Sequence, residues 1–333
     1  MIVIHSYFVA VLMCVITMLC WGSWANTQKL ASKQWAFQLF YWDYSLGVLL
    51  LSLLLAFTMG SVGEEGRSFL ADLGQADAGA LGSAFLGGVV FNIANLLIVV
   101  AINIAGMAVA FPVGIGLALV IGVILNYLAR PEGNPLVLFI GVALVVVAIV
   151  VNALAYRKNS KGKDARTGKG LLIAILGGTL MSFFYYLVAN GMAGDFLHPE
   201  AGKLTPYTAS VVFALGLLLS NFLWNTFFMY RPISGERASY GDYFRKGNPG
   251  LHLIGILGGM IWSLGFTFNI IASGQAGPAI SYGLGQGATL IAALWGVFIW
   301  KEFGKAEGLR GMLTAMFLFF LSGLGLIIAA RLM

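Results

Sequence analysis

Residues 86–119 have the sequence LGGVVFNIANLLIVVAINIAGMAVAFPVGIGLAL, and residues 257–290 have the sequence LGGMIWSLGFTFNIIASGQAGPAISYGLGQGATL. The two stretches align without a gap at an offset of 171 positions, which is about half of the 333-residue chain, and ten of the 34 aligned positions are identical. Chance similarity between glycine-rich apolar helices is the alternative explanation. Because the matches share one offset across two apolar runs, we favour an internal repeat, the usual plan of a secondary transporter with its site between two halves.

The composition is that of a membrane protein. The chain is 59% hydrophobic and 10% charged, with a mean hydropathy of +0.90, whereas soluble domains carry about 25% charged residues. The 44 glycines suit close packing of helices in a bilayer. We interpret the net charge of +6 as a signal of membrane orientation and predict no nucleic-acid partner.

Apolar runs of about 20 residues predict ten transmembrane helices, which we call spans 1 to 10. The predicted fold class is an all-α integral membrane protein with two inverted repeats of five helices. Residues 1–156 form the first repeat, residues 157–169 a basic linker, and residues 170–333 the second repeat. Tight turns are expected at Gly106 and at residues 274–277, and residues 67–77 form an amphipathic segment. The predicted spans are 5–25, 36–59, 80–102, 107–129, 135–156, 170–192, 207–230, 251–273, 278–300 and 310–331.

The distribution of positive charge predicts how the chain crosses the membrane. The segments that follow spans 1, 5, 7 and 9 contain 15 of the 19 lysines and arginines. The positive-inside rule therefore places these segments, including the 157–169 loop, in the cytoplasm and both termini outside the plasma (inner) membrane. Because each half has five spans, an odd number, the second half crosses in the opposite sense. Inverted halves can exchange conformations and open a shared site to each side in turn.

Amide and aromatic side chains inside the spans are the candidate substrate site. Asn92, Asn95 and Asn103 fall within about 80° of one another on span 3, and buried amides are expected to face other helices or a water-filled cavity. Hydrogen bonding between helices is the alternative role of each amide. Amides beside aromatic rings, without a ring of charge, suit an uncharged polar solute with a flat ring or several hydroxyl groups. The predicted substrate-binding residues are Trp21, Trp24, Asn26, Asn92, Asn95, Tyr185, Asn225, Trp262, Asn269, Tyr282 and Gln286.

Asp43 is the one acidic residue inside an apolar run, since the other twelve lie in loops or at span ends. It falls about two turns into span 2, within the sequence FYWDYS at residues 40–45. Ionisable groups buried in a membrane mark proton pathways, so Asp43 is the predicted proton-coupling residue. The alternative is a carboxylate hydrogen-bonded near the cytoplasmic interface, to Lys29 or Lys33.

No motif predicts catalysis, a cofactor or a metal. The stretch GKDARTGKG at residues 162–170 has five residues between Gly162 and Gly168 where a P-loop has four, and Gly170 replaces the magnesium-binding Ser or Thr. His5, His198 and His252 have no metal-ligand spacing. We therefore predict that the protein is not an enzyme.

Several stretches resemble the drug/metabolite transporter superfamily, in particular its ureide permease-like branch, which is related to bacterial glucose/ribose and rhamnose uptake families. They are CWGSWA (20–25), WDYS (42–45), LGGVVFNIANL (86–96), VIGVILNYL (120–128), MYRP (229–232) and the segment 257–302, which ends in WGVFIWKE. The resemblance implies ten helices in two inverted repeats and uptake of ureides, nucleobases or monosaccharides with protons. Plant members are described as carrying a nucleotide-motif-like central loop, and here that loop is short and has a different spacing.

Three functional hypotheses follow. The first is a proton-coupled importer with a small neutral polar solute and protons as partners. The second is an exporter of amphipathic drugs or metabolites, which for cationic drugs would call for a second buried acid. The third is a non-transporting membrane sensor or membrane enzyme, which would call for a soluble domain or a catalytic cluster. The importer is favoured, and assembly into a homo-oligomer is left open.

Overall fold

The computed structural model describes residues 1–31, 34–159, 167–233, 236–301 and 309–333. Within these ranges the chain is helical without β-strands, and ten helices are long and apolar enough to cross a membrane. The predicted all-α membrane fold with ten spans is thereby confirmed. The spans, numbered as above, are Tyr7–Ala31, Phe37–Phe57, Ala78–Ala105, Pro112–Ala129, Pro135–Lys158, Gly168–Gly191, Pro206–Tyr230, Pro249–Ala276, Pro278–Ile299 and Arg310–Ala329.

Three of the spans are interrupted helices. Span 1 consists of Tyr7–Ser23 and Ala25–Ala31, and span 7 of Pro206–Asn221 and Trp224–Tyr230. Span 9 consists of Pro278–Gly285, Ala288–Leu294 and a π-helical turn, Trp295–Ile299. Irregular backbone at membrane depth is tolerated only inside protein or beside a cavity, so these breaks indicate where a site is to be sought.

In the part of the chain that the structure describes, two short helices lie outside the spans. Phe69–Gln75 occupies the middle of the predicted amphipathic segment, and Tyr240–Lys246 lies between spans 7 and 8. The buried carboxylate of Asp72 holds the first helix, because it pairs with Arg67 Nε at 2.9 Å and accepts a hydrogen bond from the backbone of Thr205 at 2.8 Å. Asp72 thereby ties this helix to the start of span 7.

The two repeated stretches fold alike. Span 3, Ala78–Ala105, and the helix of span 8, Pro249–Ala276, are each 28 residues long, and both limits differ by the 171 positions of the sequence repeat. Gly106 and Gly277 end these helices with φ of 78° and 80°, a left-handed conformation that glycine adopts at no steric cost. The predicted turns are confirmed, the second at Gly277. The inverted sense of the halves stays a prediction.

Glycines let the repeated helices contact their neighbours backbone to backbone. A side-chain carbon at Gly88 of span 3 would collide with the carbonyl of Phe213 in span 7, and one at Gly259 of span 8 with the carbonyl of Tyr44 in span 2. Small residues at such crossings are the usual basis of helix packing in lipid. Spans 3 and 7 therefore pack in the same way as spans 8 and 2.

The two ends of the bundle differ in charge. We call the end with Ala31, Lys158 and Ile299, where spans 1, 5 and 9 finish, the basic end, and the other the opposite end. At the opposite end Arg331 pairs with Glu132 at 2.8 Å. There, too, the amino group of Met1 donates to the carbonyl of Glu65 at 2.7 Å.

Candidate substrate-binding site

A cavity of about 400 Å³ lies among the spans that carry the predicted site. Its wall is formed by spans 1, 3, 4, 6, 8 and 9 and the start of span 2, and we call it the central cavity. No charged residue is among the described residues that line it. Five of the eleven predicted substrate-binding residues line this cavity: Trp21, Trp24, Asn95, Trp262 and Gln286.

Aromatic rings form a flat part of the cavity wall. The indoles of Trp21 and Trp262 stack with centroids 5.7 Å apart and an interplanar angle of 12°, and Trp21 Nε1 donates to the carbonyl of Trp262 at 3.2 Å. Phe91 packs against Trp262 with centroids 4.5 Å apart. Such fixed aromatic surfaces suit flat rings and the apolar faces of sugars.

Amide groups supply polarity in the same cavity. Asn95 is 8% exposed, and its Nδ2 donates to Tyr41 Oη at 3.2 Å. Gln286 lies in the break of span 9, between Pro278–Gly285 and Ala288–Leu294. A side chain at a helix break beside a cavity is in the usual position for binding solutes in transporters.

Three polar side chains outside the predicted set also line the cavity, namely Gln28, Asn103 and Thr289. Asn103 and Thr289 share helix faces with Asn95 and Gln286, so periodicity was a signal for them. Gln28 lies beyond the predicted end of span 1, and only the longer helix of the structure places it at the cavity.

Three predicted site residues instead bind neighbouring helices. Asn92 Nδ2 donates to the Leu217 carbonyl at 3.1 Å and to Ser220 Oγ at 2.7 Å. Asn225 Nδ2 donates to the backbone of span 2 at 2.8 Å, and Asn26 Oδ1 accepts from Trp300 Nε1 at 2.7 Å. For these three amides, the structure fits the alternative of interhelical hydrogen bonding.

The remaining three predicted residues lie together beneath the cavity, towards the opposite end. Tyr185 Oη is 2.9 Å from Ser281 Oγ, Asn269 Nδ2 donates to the Ser281 carbonyl at 2.8 Å, and Tyr282 Oη donates to the Ala118 carbonyl at 3.1 Å. The rings of Tyr185 and Tyr282 are 5.1 Å apart. We call Tyr185, Asn269, Ser281 and Tyr282 the tyrosine layer.

A second cavity of about 400 Å³ lies at the basic end, and we call it the vestibule. Phe37, Val99 and Asn103 belong to the walls of both the vestibule and the central cavity, so the two cavities adjoin at these side chains. Asp242 and Lys246 of the short helix Tyr240–Lys246 also line the vestibule.

Asp43 is buried, with 1% of its surface exposed, and it joins three elements. Its Oδ1 accepts from Tyr243 Oη and lies 2.9 Å from His252 Nδ1, and its Oδ2 accepts from Trp35 Nε1 at 3.1 Å. Of the lysine partners considered from sequence, Lys29 has its Nζ 4.0 Å from the ring centroid of Trp300, and Lys33 lies outside the described residues.

The helix Tyr240–Lys246, outside the spans, carries two groups with shifted pKa values. Burial and the hydrogen bond to Asp43 raise the pKa of Tyr243, which therefore stays a donor to the carboxylate. Lys246 and Ser239 lower the pKa of Asp242 to about 2, and Ser239 caps the helix by accepting from the backbone of Asp242. The helix is thus held at its start and docked through Tyr243.

Within the described ranges, no three His, Cys, Asp or Glu side chains group in a way that could hold a metal. Residues 160–166, which include the start of the P-loop-like stretch, lie outside the described residues.

Ten apolar spans around an uncharged cavity with amide and aromatic walls define a multi-pass membrane transporter. The family model for ureide permeases matches residues 40–169 and 163–330. The chain belongs to the ureide permease family, a family of transporters and not of enzymes.

Several named proteins are similar to this chain in sequence. Ureide permease 2 and ureide permease 1 of Arabidopsis thaliana are 23% and 24% identical, each over 99% of both chains. The glucose uptake protein GlcU of Bacillus subtilis (strain 168) is 26% identical over 61% of this chain and 62% of its own. A crystal structure of another protein superposes with a TM-score of 0.60 over 97% of both chains at 14% identity, which indicates the shared fold alone.

Proposed function

We propose that this chain imports a small uncharged polar solute, a ureide, a nucleobase or a monosaccharide, through the central cavity by alternating access. The observation that carries the proposal is the cavity wall, where the stacked rings of Trp21 and Trp262 accompany the amides of Asn95 and Gln286 without a charged residue. Flat rings can stack on the indoles while amides bind hydroxyl, carbonyl or N–H groups.

The names of the relatives support this solute class. They are ureide permeases in a plant and a glucose uptake protein in a bacterium. Cyclic ureides and glucose share a compact polar ring and the absence of charge, and the central cavity fits these properties. An aromatic, uncharged wall therefore suits either class.

The proposed membrane orientation places the basic end in the cytoplasm, with both termini outside the plasma membrane, as the positive-inside rule requires. In this orientation the central cavity adjoins a cytoplasmic vestibule, and the tyrosine layer closes the outer side. The two halves, taken as inverted repeats, would reopen the cavity outwards by exchanging their arrangements.

We assign proton coupling to Asp43 together with His252. When this pair takes up a proton on Asp43, the carboxylate loses its charge, and its charge-assisted hydrogen bonds to Tyr243 and Trp35 become weaker. Because Tyr243 docks the helix that carries Asp242 and Lys246 into the vestibule wall, protonation of Asp43 would release the vestibule wall. The proton and the cytoplasmic opening are thereby coupled.

Ligand-dependent thermal unfolding of the purified chain in detergent tests the solute class. Hydantoin, uracil and glucose represent cyclic ureides, nucleobases and monosaccharides, and a ligand at 100 times its Kd stabilises the folded state by about 2.7 kcal/mol. Asn95→Ala should weaken the response to the active probe. Asn92→Ala is the matched control, because Asn92 lies on the same span but binds span 7.

Solute-driven proton entry into proteoliposomes tests the coupling. Asp43→Asn should abolish proton entry while the solute still stabilises the protein. Uptake without proton movement in the unsubstituted chain would remove the coupling proposal and leave the solute site standing. A response to amphipathic cations, with none to the three polar probes, would instead favour the exporter hypothesis.

A further inference from the structure

A smaller cavity of about 160 Å³ lies at the opposite end of the bundle. Its walls come from the ends of spans 4 and 6, the loop between spans 6 and 7, and the start of span 9. We call it the opposite-end cavity. Drug-sized ligands occupy about 300 Å³ or more, so this cavity has room for a small solute only.

The opposite-end cavity lies directly behind the tyrosine layer. On span 9, Pro278 lines the opposite-end cavity, Tyr282 belongs to the layer, and Gln286 lines the central cavity. Eight residues of helix between Pro278 and Gln286 correspond to about 12 Å. Span 4 repeats this order, with Asn126 in one cavity and Ile115 in the other. The two cavities therefore follow one another along spans 4 and 9, with the tyrosine layer between them.

Asn126, in the wall of the opposite-end cavity, has a buried and unused acceptor. Its side chain is 1% exposed, and its Nδ2 donates to the Gly122 carbonyl at 2.8 Å. Its Oδ1 is buried and has no hydrogen-bond partner among the described residues. A buried carbonyl oxygen without a partner is costly, and a ligand N–H or O–H in the cavity would satisfy it.

Positive charge dominates the rest of the wall. Lys203 Nζ uses one donor on the Asn190 carbonyl at 2.7 Å, and the guanidinium of Arg130 makes no ion pair with the described residues. Glu200, the one carboxylate among the described residues of the wall, accepts from the backbone N–H of Gly194 at 3.0 Å. Arginine presents a planar pair of donors that matches a carboxylate.

We propose that the opposite-end cavity is a second solute site, which binds a small carboxylate carrying an N–H donor. The carboxylate lies at Arg130 and Lys203, and the N–H donates to Asn126 Oδ1. The central cavity has no positive charge among its described lining residues, so it does not accept the same ion. The proposal rests on the proposed function only in assigning uncharged solutes to the central cavity.

Two matched probes separate the cavities at pH 7. N-carbamoylglycine carries a ureido group and a carboxylate, and hydantoin carries the same ureido group closed into an uncharged ring. Binding to the purified full chain is measured by thermal unfolding over a range of probe concentrations. We expect Arg130→Gln to weaken N-carbamoylglycine at least about tenfold, the effect of losing one charge-assisted contact. Asn126→Leu should weaken it by about two- to tenfold, the effect of losing one neutral hydrogen bond, and both variants should leave hydantoin unchanged.

Control variants locate the effect. Asn95→Ala should weaken hydantoin and leave N-carbamoylglycine unchanged. Lys301→Gln removes one positive charge at the basic end and should change neither probe. If Asn126→Leu fails to fold, Arg130→Gln and Lys203→Gln carry the test, because both side chains are only partly buried.

The outcomes are distinct. Absence of a response to N-carbamoylglycine, or an unchanged affinity in Arg130→Gln, would overturn the second site and leave the hydantoin result intact. Equal weakening of both probes by Arg130→Gln would also overturn it, since one site would then bind both. A response to N-carbamoylglycine without one to hydantoin would support the second site while counting against a ureide in the central cavity.

Discussion

Replacing Asp43 by asparagine should destabilise the folded protein by about 3–5 kcal/mol. The carboxylate accepts from Tyr243 and His252 on one oxygen and from Trp35 on the other. In Asp43→Asn the amide oxygen can serve the first side, where two charge-assisted bonds become neutral at about 1 kcal/mol each. The amide NH₂ group then faces Trp35 Nε1, and this buried donor without an acceptor costs a further 1–3 kcal/mol or so.

A double-mutant cycle with Trp35→Phe isolates the second contribution. Trp35→Phe removes the indole donor, so in the double variant the asparagine NH₂ no longer opposes an N–H group. The effects of the two substitutions should therefore be non-additive. The double variant should lose about 1–3 kcal/mol less unfolding free energy than the two single variants lose together. The smaller phenylalanine ring also leaves a space, but this cost enters both arms of the cycle and cancels.

Denaturant titration of the purified chain in mixed micelles provides the free energies of unfolding. Unfolding is followed by tryptophan fluorescence and by circular dichroism, and coincident transitions indicate two-state behaviour. Additive values within about 0.5 kcal/mol would refute the donor–acceptor geometry at Trp35. An Asp43→Asn variant as stable as the parent would refute the whole network, because no buried charge would then be held there.

Three further predictions concern the layer, the helix packing and the orientation. Tyr282→Ala should make a cysteine at Gln286 reactive to a membrane-impermeant thiol reagent from the opposite end, whereas Tyr282→Phe should leave it unreactive because the ring still fills the layer. Gly259→Ala should lower the free energy of unfolding by about 1–3 kcal/mol through overpacking; Gly79→Ala, with open space around it, should not. A cysteine at His198 should be labelled on intact cells, and labelling only after lysis would reverse the proposed orientation.

The spans were predictable because lipid demands long apolar helices, but their limits were less so. Span 1 was expected to end at residue 25, and its helix continues to Ala31. The extra turn contains Asn26 and Gln28, polar residues that ended the apolar run in the sequence. Gln28 faces the central cavity, and a cavity tolerates polarity that lipid does not. The repeat, by contrast, placed the turn at Gly106 correctly although no polar residue marks it.

The site was predictable only in part, because helical periodicity shows which residues share a face and not what that face meets. Asn92 and Asn95 are three residues apart, yet one binds span 7 and the other lines the cavity. Asp43 was identified by its isolation in an apolar run. Its partners Tyr243 and His252 are 200 and 209 positions away, and only the packing of span 8 and the short helix brings them together.

Glycine contacts divide the bundle into two groups of helices. A side-chain carbon at Gly47 of span 2 would collide with the backbone of Ile256 in span 8, and one at Gly216 of span 7 with the backbone of Phe85 in span 3. Ile256 and Phe85 are separated by the same 171 positions as the sequence repeat. A side-chain carbon at Gly22 of span 1 would likewise collide with the carbonyl of Ala288 in span 9, and one at Gly178 of span 6 with the carbonyl of Gly114 in span 4.

Spans 1 and 9, and likewise spans 2 and 8, therefore meet through backbone atoms, and we treat these four spans as one group; spans 3, 4, 6 and 7 form the other. Where the groups meet, side chains touch instead, as in Asn95 with Tyr41 and Tyr185 with Ser281. Backbone contacts without side chains have little freedom to rearrange, whereas side-chain contacts can exchange rotamers and partners. In the proposed alternating access, movement between the groups would open or close the central cavity and the tyrosine layer, which lie along this boundary.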